Sequence, residues 1–539
     1  MSGSESQRTS TGTGGAWAPL RHPVFRALWL AGSVANMGLW MQNVAAAWAM
    51  TSLTTSPLMV ALIQTAATLP AFLLGLPGGV LADLVDRRRL LLAANIWILL
   101  TMTTLSVLSF GGWLNAWSLL LLTFALGAGS TLQAPAWQAT TSDVLPREQV
   151  PAGVSLAGIS MNSARAAGPA LAGLLIAGFG SGAVFAINAL CYFSVIIVLL
   201  RWKQSARRGS SVPPEGLIGG IQSGLRYVRH SPALRVQYGR CLVVYFGSAA
   251  LWALLPVVAR DQLGFGADGY GLLLACLGIG AVIGGLLLAR LQARFGPNPL
   301  MQASNLLFAA VTLCLAYVHV PALVCAALVI GGFSWIGISA VPSAAIQTGV
   351  PPWVRARAIA VFFLTFQIAM AAGGFLWGLV ADHFGTDTAL AAAASLALLS
   401  VEIGRRFPIR ISHETEVTPS LHWREPTVEV APAMEDGPVA VQVGYHIDPA
   451  RRIEFVQALH ALGTIRQRDG ASAWRLYRDL EAPDRYVERF IVGSWGEYLR
   501  QRTRATQADQ QIEERAAAFH IEPTPPRMLH FITEAAPQD

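Results

Sequence analysis

The sequence predicts an all-α membrane protein of twelve spanning helices in two six-helix repeats, followed by a C-terminal α+β domain. Three observations support this prediction. The 539 residues are 53% hydrophobic and 13% charged, about half the charge of a typical soluble domain. Charged residues are sparse before about residue 404 and dense after it. Finally, residues 162–180 resemble residues 367–385, which indicates an internal duplication.

Long windows without Asp, Glu, Lys or Arg separate the few charged connectors. The windows at 27–82, 90–142 and 297–354 each have room for two helices, since a spanning helix needs about 20 mostly apolar residues. Such helices satisfy their own backbone hydrogen bonds, as hydrocarbon requires. Breaking the windows at glycine, proline and polar clusters predicts helices 1 to 12 at residues 27–50, 57–82, 90–110, 117–140, 153–178, 181–202, 236–259, 268–290, 299–319, 321–346, 357–382 and 386–404.

The placement of arginine predicts the orientation. Connectors after even-numbered helices carry nearly all basic residues of the helical region, and Arg260 is the exception on the other side. We call these two ends of the bundle the Arg-rich face and the Arg-poor face. Because cytoplasmic connectors are rich in Lys and Arg, we expect a multi-pass protein of the inner (plasma) membrane with both termini in the cytoplasm. The net charge of +7 then reflects topology, and we expect no nucleic-acid partner.

The same patterns predict the domain organisation. Residues 1–21 are Ser/Gly/Thr-rich and lack the apolar core of a cleavable signal peptide, so we expect a disordered cytoplasmic tail there. The predicted parts that follow are a six-helix half at 22–202, a cytoplasmic central loop at 203–235, a second six-helix half at 236–406, a linker at 407–436 and a cytoplasmic domain at 437–535. All five cysteines fall in predicted helices without ligand spacing, so neither a disulfide framework nor a metal site is expected.

The internal repeat relates the two halves. At a constant offset, Gly168, Gly173 and Gly180 match Gly373, Gly378 and Gly385. The two members of each pair lie at the same place in their half, in or directly after a helix that crosses the membrane in the same direction. A repeat with conserved direction places the axis relating the halves along the membrane normal.

Four stretches carry a family resemblance. The connector between predicted helices 2 and 3, GGVLADLVDRRR, resembles the signature loop of the major facilitator superfamily. The stretches MGLWMQNVAAAWAM (37–50), SPLMVALIQTAATLPAFLLGLPGGVLAD (56–83) and NSARAAGPALAG (162–173) resemble the drug and siderophore exporter branch. That branch includes enterobactin exporters and transmembrane secretion effectors. The resemblance covers roughly residues 22–406.

The resemblance implies a secondary active transporter that exports small amphiphilic molecules (drugs, siderophores or other secondary metabolites) by alternating access in the lipid bilayer. It implies no cofactor. Proton coupling is an expectation from the family, since no nucleotide-binding motif is present. No Asp or Glu lies clearly at membrane depth, so a uniporter remains an alternative.

The resemblance also implies a gate at the Arg-rich face. In the superfamily, the acid at the position of Asp83 contacts the start of helix 11, and the arginines of the motif reach an acid below helix 4. We therefore expect Asp83 to contact Arg357 and the start of helix 11, and Arg87 or Arg88 to contact Asp143. The full set of expected gating residues is Asp83, Asp86, Arg87, Arg88, Asp143, Arg355 and Arg357. The second half departs from the motif, because Ala289 stands where the first half has its acid.

A second motif lies in predicted helix 5 and comprises Arg165, Gly168, Pro169 and Gly173. Glycine allows close approach of helices, and Gly-Pro bends a helix. In antiporters of the superfamily this segment is associated with the direction of export, although simple close packing is an equal alternative. Arg165 is a charge inside a predicted span, which marks it as a functional candidate, unless it reaches back to the cytoplasmic face.

Substrate contacts are expected from helices 1, 4, 7 and 10 if the family architecture holds. Aromatic walls with a few polar groups suit apolar or amphiphilic ligands. The candidates are Asn36, Trp40, Gln42, Asn43, Gln133, Trp137, Gln138, Trp252 and Trp335, with Asn305 and Gln367 as weaker ones.

The C-terminal region reads as a β-α-β-β-α-β unit, which is ferredoxin-like. A strand with period two at VAVQVGYHI is followed by Asp448-Pro449, a helix start, and the second helix is expected near 495–519. The pattern resembles dimeric domains of the antibiotic-biosynthesis monooxygenase type. We expect homodimerisation or regulation. The alternative is a cofactor-independent monooxygenase whose cleft is lined by His446, His460, Trp474 and Tyr477. We see no pair of acidic and basic residues at a spacing typical of general acid–base catalysis, and we therefore expect no enzyme.

Overall fold

A computed structural model describes residues 17–202, 217–409, 414–420, 422–423, 428, 430 and 432–534. Most of the predicted N-terminal tail and part of the central loop and of the linker lie outside the described residues. The helices of the apolar region are α1 (Pro23–Leu53), α2 (Pro57–Leu84), α3 (Arg87–Phe110), α4 (Ala116–Val144), α5 (Val150–Arg201), α6 (Leu217–His230), α7 (Pro232–Val257), α8 (Ala267–Phe295), α9 (Pro297–Tyr317), α10 (Pro321–Gly349), α11 (Pro352–Phe384) and α12 (Thr386–Arg406).

In the described part of the chain, ten helices are long and apolar enough to cross a membrane. α1 has 31 residues but is not among them, because polar side chains such as Asn36, Gln42 and Asn43 lower its hydropathy. α5 has 52 residues and covers predicted helices 5 and 6 together. Its backbone leaves helical geometry at Gly180, where φ is 79° and ψ is 169°.

The chain packs into two compact units. Unit 1 comprises residues 1–209, 242–338 and 366–403, and unit 2 comprises residues 210–241, 339–365 and 404–539. Unit 1 therefore holds α1–α5, α8 and α9 whole, with parts of α7, α10, α11 and α12. Unit 2 holds α6, the remaining parts of those helices and the C-terminal domain.

Close approach at glycine joins the helices of unit 1. A Cβ atom on Gly173 of α5 would lie 2.8 Å from the Cα of Gly271 in α8. A Cβ on Gly378 of α11 would lie 2.6 Å from the Cβ of Ala61 in α2. Gly173 and Gly378 occupy matching positions of the repeat, and each touches the opposite half. Small residues at helix crossings permit this packing in membranes, where the hydrophobic effect does not drive helix association.

The repeat is also visible in the backbone. Gly180 within α5 and Gly385 between α11 and α12 match each other in sequence, and both have positive φ, at 79° and 90°. Only glycine adopts this region without strain. Each half therefore has a glycine with positive φ at the matching position, where regular helical geometry is interrupted.

The C-terminal domain of unit 2 has a four-stranded antiparallel sheet in the order β2-β3-β1-β4. Its elements are α13 (Glu414–Val417), β1 (Val439–His446), α14 (Arg452–Asp469), β2 (Ala473–Arg478), β3 (Arg485–Val492), α15 (Trp495–Arg504), α16 (Gln507–Ala517) and β4 (Arg527–Ile532). The prediction of one helix at 495–519 is wrong. Thr506 and Asp509 form a capping box that starts a new helix, because the Thr506 side chain satisfies a free N–H of its first turn.

A buried charge network lies beside the apolar core of this domain. The guanidinium of Arg466 donates to Glu488 at 3.5 Å and to Glu513 at 2.9 Å. Trp474 donates its indole N–H to Glu488 at 2.9 Å. Burial alone would raise the pKa of Glu513, but the charge of Arg466 and hydrogen bonds from His422, Arg466 and Trp423 lower it to about 2. The carboxylate therefore stabilises the fold above its ordinary pKa of 4.5 and loses this effect as the pH falls towards 2.

We expect Arg466→Met to destabilise the C-terminal domain by about 3–5 kcal/mol, because it leaves the buried carboxylate of Glu488 and the partly buried carboxylate of Glu513 without their cation. Hydrogen exchange of β1 and β3 amides in the full-length protein in detergent measures this loss. Arg475→Met is the matched control, since Arg475 is exposed on β2. Equal exchange rates in both variants would contradict a structural role of the network.

Candidate substrate cavity and its gates

A cavity of about 530 Å³ lies inside unit 1, within the range of small-molecule sites. Side chains of α1, α2, α4, α5, α7, α8, α10 and α11 line it, so both halves of the repeat contribute. Most of the lining is aliphatic or aromatic, and Gln, Asn, Ser and Thr side chains are interspersed. A surface of this kind can bind an amphiphilic molecule.

Aromatic rings from the second half form one wall. The rings of Trp252 and Trp335 meet edge to face with centroids 5.4 Å apart. The ring centroid of Phe366 lies 6.3 Å from that of Trp335. The ring centroid of Tyr245 lies 6.1 Å from that of Trp335. These rings contact one another and form a continuous aromatic wall.

The structure places six of the candidate substrate residues at the cavity: Trp40, Gln42, Asn43, Trp252, Trp335 and Gln367. Asn36 and Gln133 do not line it, because they donate to Ser160 and Asn95, both at 3.0 Å. Trp137 packs against Gly32 instead. Gln138 is exposed, and Asn305 is buried outside the lining.

Polar lining residues on two helices were missed from the sequence. Gln64 and Thr68 come from α2, and Thr123, Ser130 and Thr131 come from α4. In the sequence, Gln64 and Thr68 are four residues apart and hence share a helix face. That spacing was the available signal, but the expectation that helices 1, 4, 7 and 10 make the contacts excluded α2.

Arg165 lines the same cavity. Its guanidinium carbon lies 5.3 Å from the centroid of the Trp40 ring, which is cation–π geometry. Its Nε atom is buried without a hydrogen-bond partner. The residue thus points to the substrate region and is not at the Arg-rich end of its helix.

The glycines of the helix-5 motif are contact points. A Cβ on Gly168 would lie 2.7 Å from the Cβ of Trp40 in α1, and Gly173 touches Gly271 of α8. Pro169 lies between them and lines the cavity. The motif therefore joins α5 to a helix of each half. This agrees with the expectation that the motif serves close packing of helices. Its association with the direction of export stays a prediction.

At the Arg-rich face, Arg87 forms an ion pair with Asp143 at the end of α4. Arg88 donates to the carbonyl oxygens of Leu199 and Leu200 at 2.8 and 2.7 Å, where the C-terminus of a helix attracts a cation. Asp86 caps α3 by accepting from the Arg89 amide at 2.9 Å. The side chain of Asp83 lies outside the described residues. The role of these groups in gating remains a prediction.

The two arginines near the start of α11 differ. Arg355 is exposed. Arg357 donates to the Ser223 hydroxyl of α6 at 2.7 Å, and a Cβ on Gly224 would lie 2.7 Å from the Cβ of Arg357. The amphipathic helix α6, which falls in the predicted central loop, thus packs on the start of α11.

At the Arg-poor face, polar contacts join the two halves within unit 1. Arg260 donates to the carbonyl oxygens of Thr51 and Thr54 at 2.5 and 2.8 Å, at the C-terminus of α1. Ser56 donates to Asp382 of α11 at 2.6 Å. Arg260, the one basic residue that departed from the sequence pattern, therefore joins the two halves at this face.

The C-terminal domain contacts α6 and the start of α11 within unit 2. Glu497 of α15 accepts from Arg226 of α6 at 2.9 Å and from Arg504 at 2.7 Å. Arg504 also lies 4.5 Å above the ring of Trp353 in α11, and this ring meets Tyr227 of α6 edge to face at 5.4 Å. Burial opposes ionisation of Glu497, but the charge of Arg504 and hydrogen bonds from Arg504 and Arg500 lower its pKa.

The residues proposed for a monooxygenase cleft do not meet in one pocket. His446 bonds to Asp484 at 2.9 Å and to Glu522 at 3.1 Å. His460 packs on Trp474 with centroids 5.1 Å apart, and Tyr477 is exposed. The four side chains therefore serve surface pairing and packing.

Comparisons with known proteins give a family and several relatives that this chain resembles. A family model described as transmembrane secretion effector matches residues 14–538. Macrolide efflux protein A of Streptococcus pyogenes is 23% identical over 67% of this chain and 90% of its own length. The enterobactin exporter EntS of Shigella flexneri is 27% identical over 71% and 90%.

Two further similarities show less, the first because it covers a smaller part of the chain and the second because the sequence identity is low. The MFS-type transporter YfiS of Bacillus subtilis is 29% identical over 40% of this chain, and the match spans about half (51%) of that protein. The solved structure of the nucleoside transporter NupG aligns with a TM-score of 0.59, at 10% identity, over 72% of this chain and 100% of its own. At this identity the alignment shows a shared fold alone.

We expect Arg226→Glu to loosen the docking of the C-terminal domain on α6, because it places two carboxylates together. Hydrogen bonds to charged groups contribute about 1.5–3 kcal/mol, so amides of α6 should exchange at least about tenfold faster in the full-length protein. Arg229→Glu makes the same change at an exposed position of α6 and should leave exchange unaltered. No difference between the two variants would refute the docking contact.

Proposed function

The chain belongs to the transmembrane secretion effector family, a family of membrane transporters and not of enzymes, and from this membership we propose that it exports small amphiphilic molecules by alternating access. The observation that supports export of such molecules is the cavity, in which both halves of the repeat supply an aromatic and sparsely polar lining. Two of the relatives are named for macrolide efflux and for enterobactin export.

We infer a major facilitator fold of twelve helices. The ten apolar helices become twelve when α1 is included and α5 is divided at Gly180. The order β2-β3-β1-β4 of the small sheet supports a ferredoxin-like domain. Basic connectors support cytoplasmic termini in the plasma membrane.

Alternating access requires the Arg-poor face to open. In the proposed cycle, the contacts of Arg260 with α1 and of Ser56 with Asp382 break when the substrate leaves the cell. The glycine contact of Gly173 with Gly271 loosens at the same time. The ion pair of Arg87 with Asp143 and the predicted contact of Asp83 belong to the opposite gate.

The energy source has two candidates. The family resemblance favours proton antiport. Asp382 accepts a hydrogen bond from Ser56 at the Arg-poor face. It is a group that could take up a proton when this contact breaks. Among the described lining residues, however, no Asp or Glu is present, and this favours keeping a uniporter as the second candidate.

For the C-terminal domain we propose regulation of the transporter through its contact with α6 and the start of α11. Homodimerisation through its sheet is a second role. The family model spans this domain as well as the helices, which supports a function shared with transport.

Transport by everted membrane vesicles tests the export proposal. We expect vesicles with the wild-type protein to accumulate at least one of erythromycin, enterobactin and the neutral probe dansylglycinamide. Trp335→Ala should reduce this accumulation about tenfold or more, because it removes the centre of the aromatic wall. Trp113→Ala, at an exposed connector position, is the control. A protonophore should abolish accumulation against a gradient if the protein is a proton antiporter. A flux that resists the protonophore and stops when the concentrations are equal identifies a uniporter.

Transport of none of the three compounds would overturn the export proposal.

A separate prediction concerns the Arg-rich gate. Asp83→Asn should abolish transport while the protein still inserts into the membrane, because it removes the charge expected to hold the start of helix 11. Arg89→Gln, which changes an exposed neighbour, should transport normally. Normal transport by Asp83→Asn would show that the connector only sets topology.

A further inference from the structure

The charge inside the cavity is unbalanced. Of the described residues that line it, Arg165 alone has a charged side chain. The other polar groups of the lining are neutral amides, hydroxyls and indoles. The cavity therefore has a positive potential in surroundings of low dielectric, where a charge acts more strongly than in water.

Arg165 also has no acidic partner within the described part of the chain. Its Nε is buried and unbonded, and its recorded contact is the face of Trp40 at 5.3 Å. Two other arginines of low exposure form ion pairs with acids, Arg87 with Asp143 and Arg466 with Glu513. Arg165 is partly buried, and a charge removed from water without a partner costs free energy. A charge within a membrane span also marks a functional position.

The stacking on Trp40 leaves N–H groups of the Arg165 guanidinium free to bind an anionic oxygen group. A guanidinium packed against an aromatic face keeps its N–H donors at its edge, and these match the two oxygens of a carboxylate. The neighbouring Gly168 lets α1 approach α5 so closely that Trp40 reaches this position. The helix-5 motif thus places a cation and supports it, in addition to packing the helices.

We propose that Arg165 binds an anionic oxygen group of the substrate, so that the preferred substrates are amphiphilic anions with an apolar body against the Trp252–Trp335 wall and a carboxylate or similar group on Arg165. This inference rests on the proposed export function and narrows its substrate class.

Two probes that differ in one group test the proposal. Dansylglycine carries a carboxylate, and dansylglycinamide replaces it by a neutral amide. Binding of each to the purified full-length protein in lipid nanodiscs is followed by dansyl fluorescence. We expect the wild-type protein to bind the anion about ten- to a hundredfold more tightly than the amide.

Substitutions assign this preference to the residue. Arg165→Gln should abolish the preference by weakening dansylglycine alone, and unchanged amide binding shows that the cavity is intact. Arg165→Lys keeps the charge but loses the two-pronged geometry, so it should retain part of the preference. Arg290→Gln removes a charge at an exposed position of α8 and should behave as wild type.

Equal binding of the two probes to the wild-type protein, or a preference that survives in Arg165→Gln, would overturn the proposal. Transport of the same probes separates this inference from the function on which it rests. Vesicles that export both probes equally would retain the exporter and reject the anion site. Binding that depends on Arg165 without transport of any tested compound would retain the site and reject export.

Discussion

Close contact between helices at glycine is the interaction on which the rest of the transporter depends. Spanning helices satisfy their own backbone hydrogen bonds, and lipid provides no hydrophobic reason for one apolar helix to bind another. Association then depends on how closely the backbones approach. Gly173 against Gly271 and Gly378 against Ala61 provide this approach at two repeat-related places. Because neither contact contains a strong polar bond, the halves can separate there without leaving buried polar groups unsatisfied.

The charge of the cavity bears on how export is driven. If the substrate is an anion, it leaves a cell whose interior is negative, and the membrane potential favours its exit. One charge moved across 100 mV gains about 2.3 kcal/mol, which is about a fiftyfold concentration ratio at 1.4 kcal/mol per factor of ten. A lining without carboxylates among its described residues is consistent with a cycle in which the substrate's own charge carries part of the driving force.

The sequence predicted the elements that depend on local pattern and missed those that depend on three-dimensional packing. Helix positions, the strand order along the chain and the repeat follow from hydropathy and matched glycines, which are local signals. Asn36 and Gln133 carried the same polar signal as Gln42, yet they bond to Ser160 and Asn95 across helix interfaces. The rotation of each helix about its axis decides between these outcomes. Hydrophobic patterning hardly specifies that rotation when lipid and core are both apolar.

The helix α11 connects the C-terminal domain to the substrate region. Trp353 at its start lies beneath Arg504 of the domain, and further along the same helix Phe366, Gln367 and Met370 line the cavity. Within the helix no proline follows Pro352, and sharp kinks in helices arise mostly at proline or at backbone irregularities. The proposed regulation of transport would act through the contact of Trp353 with Arg504.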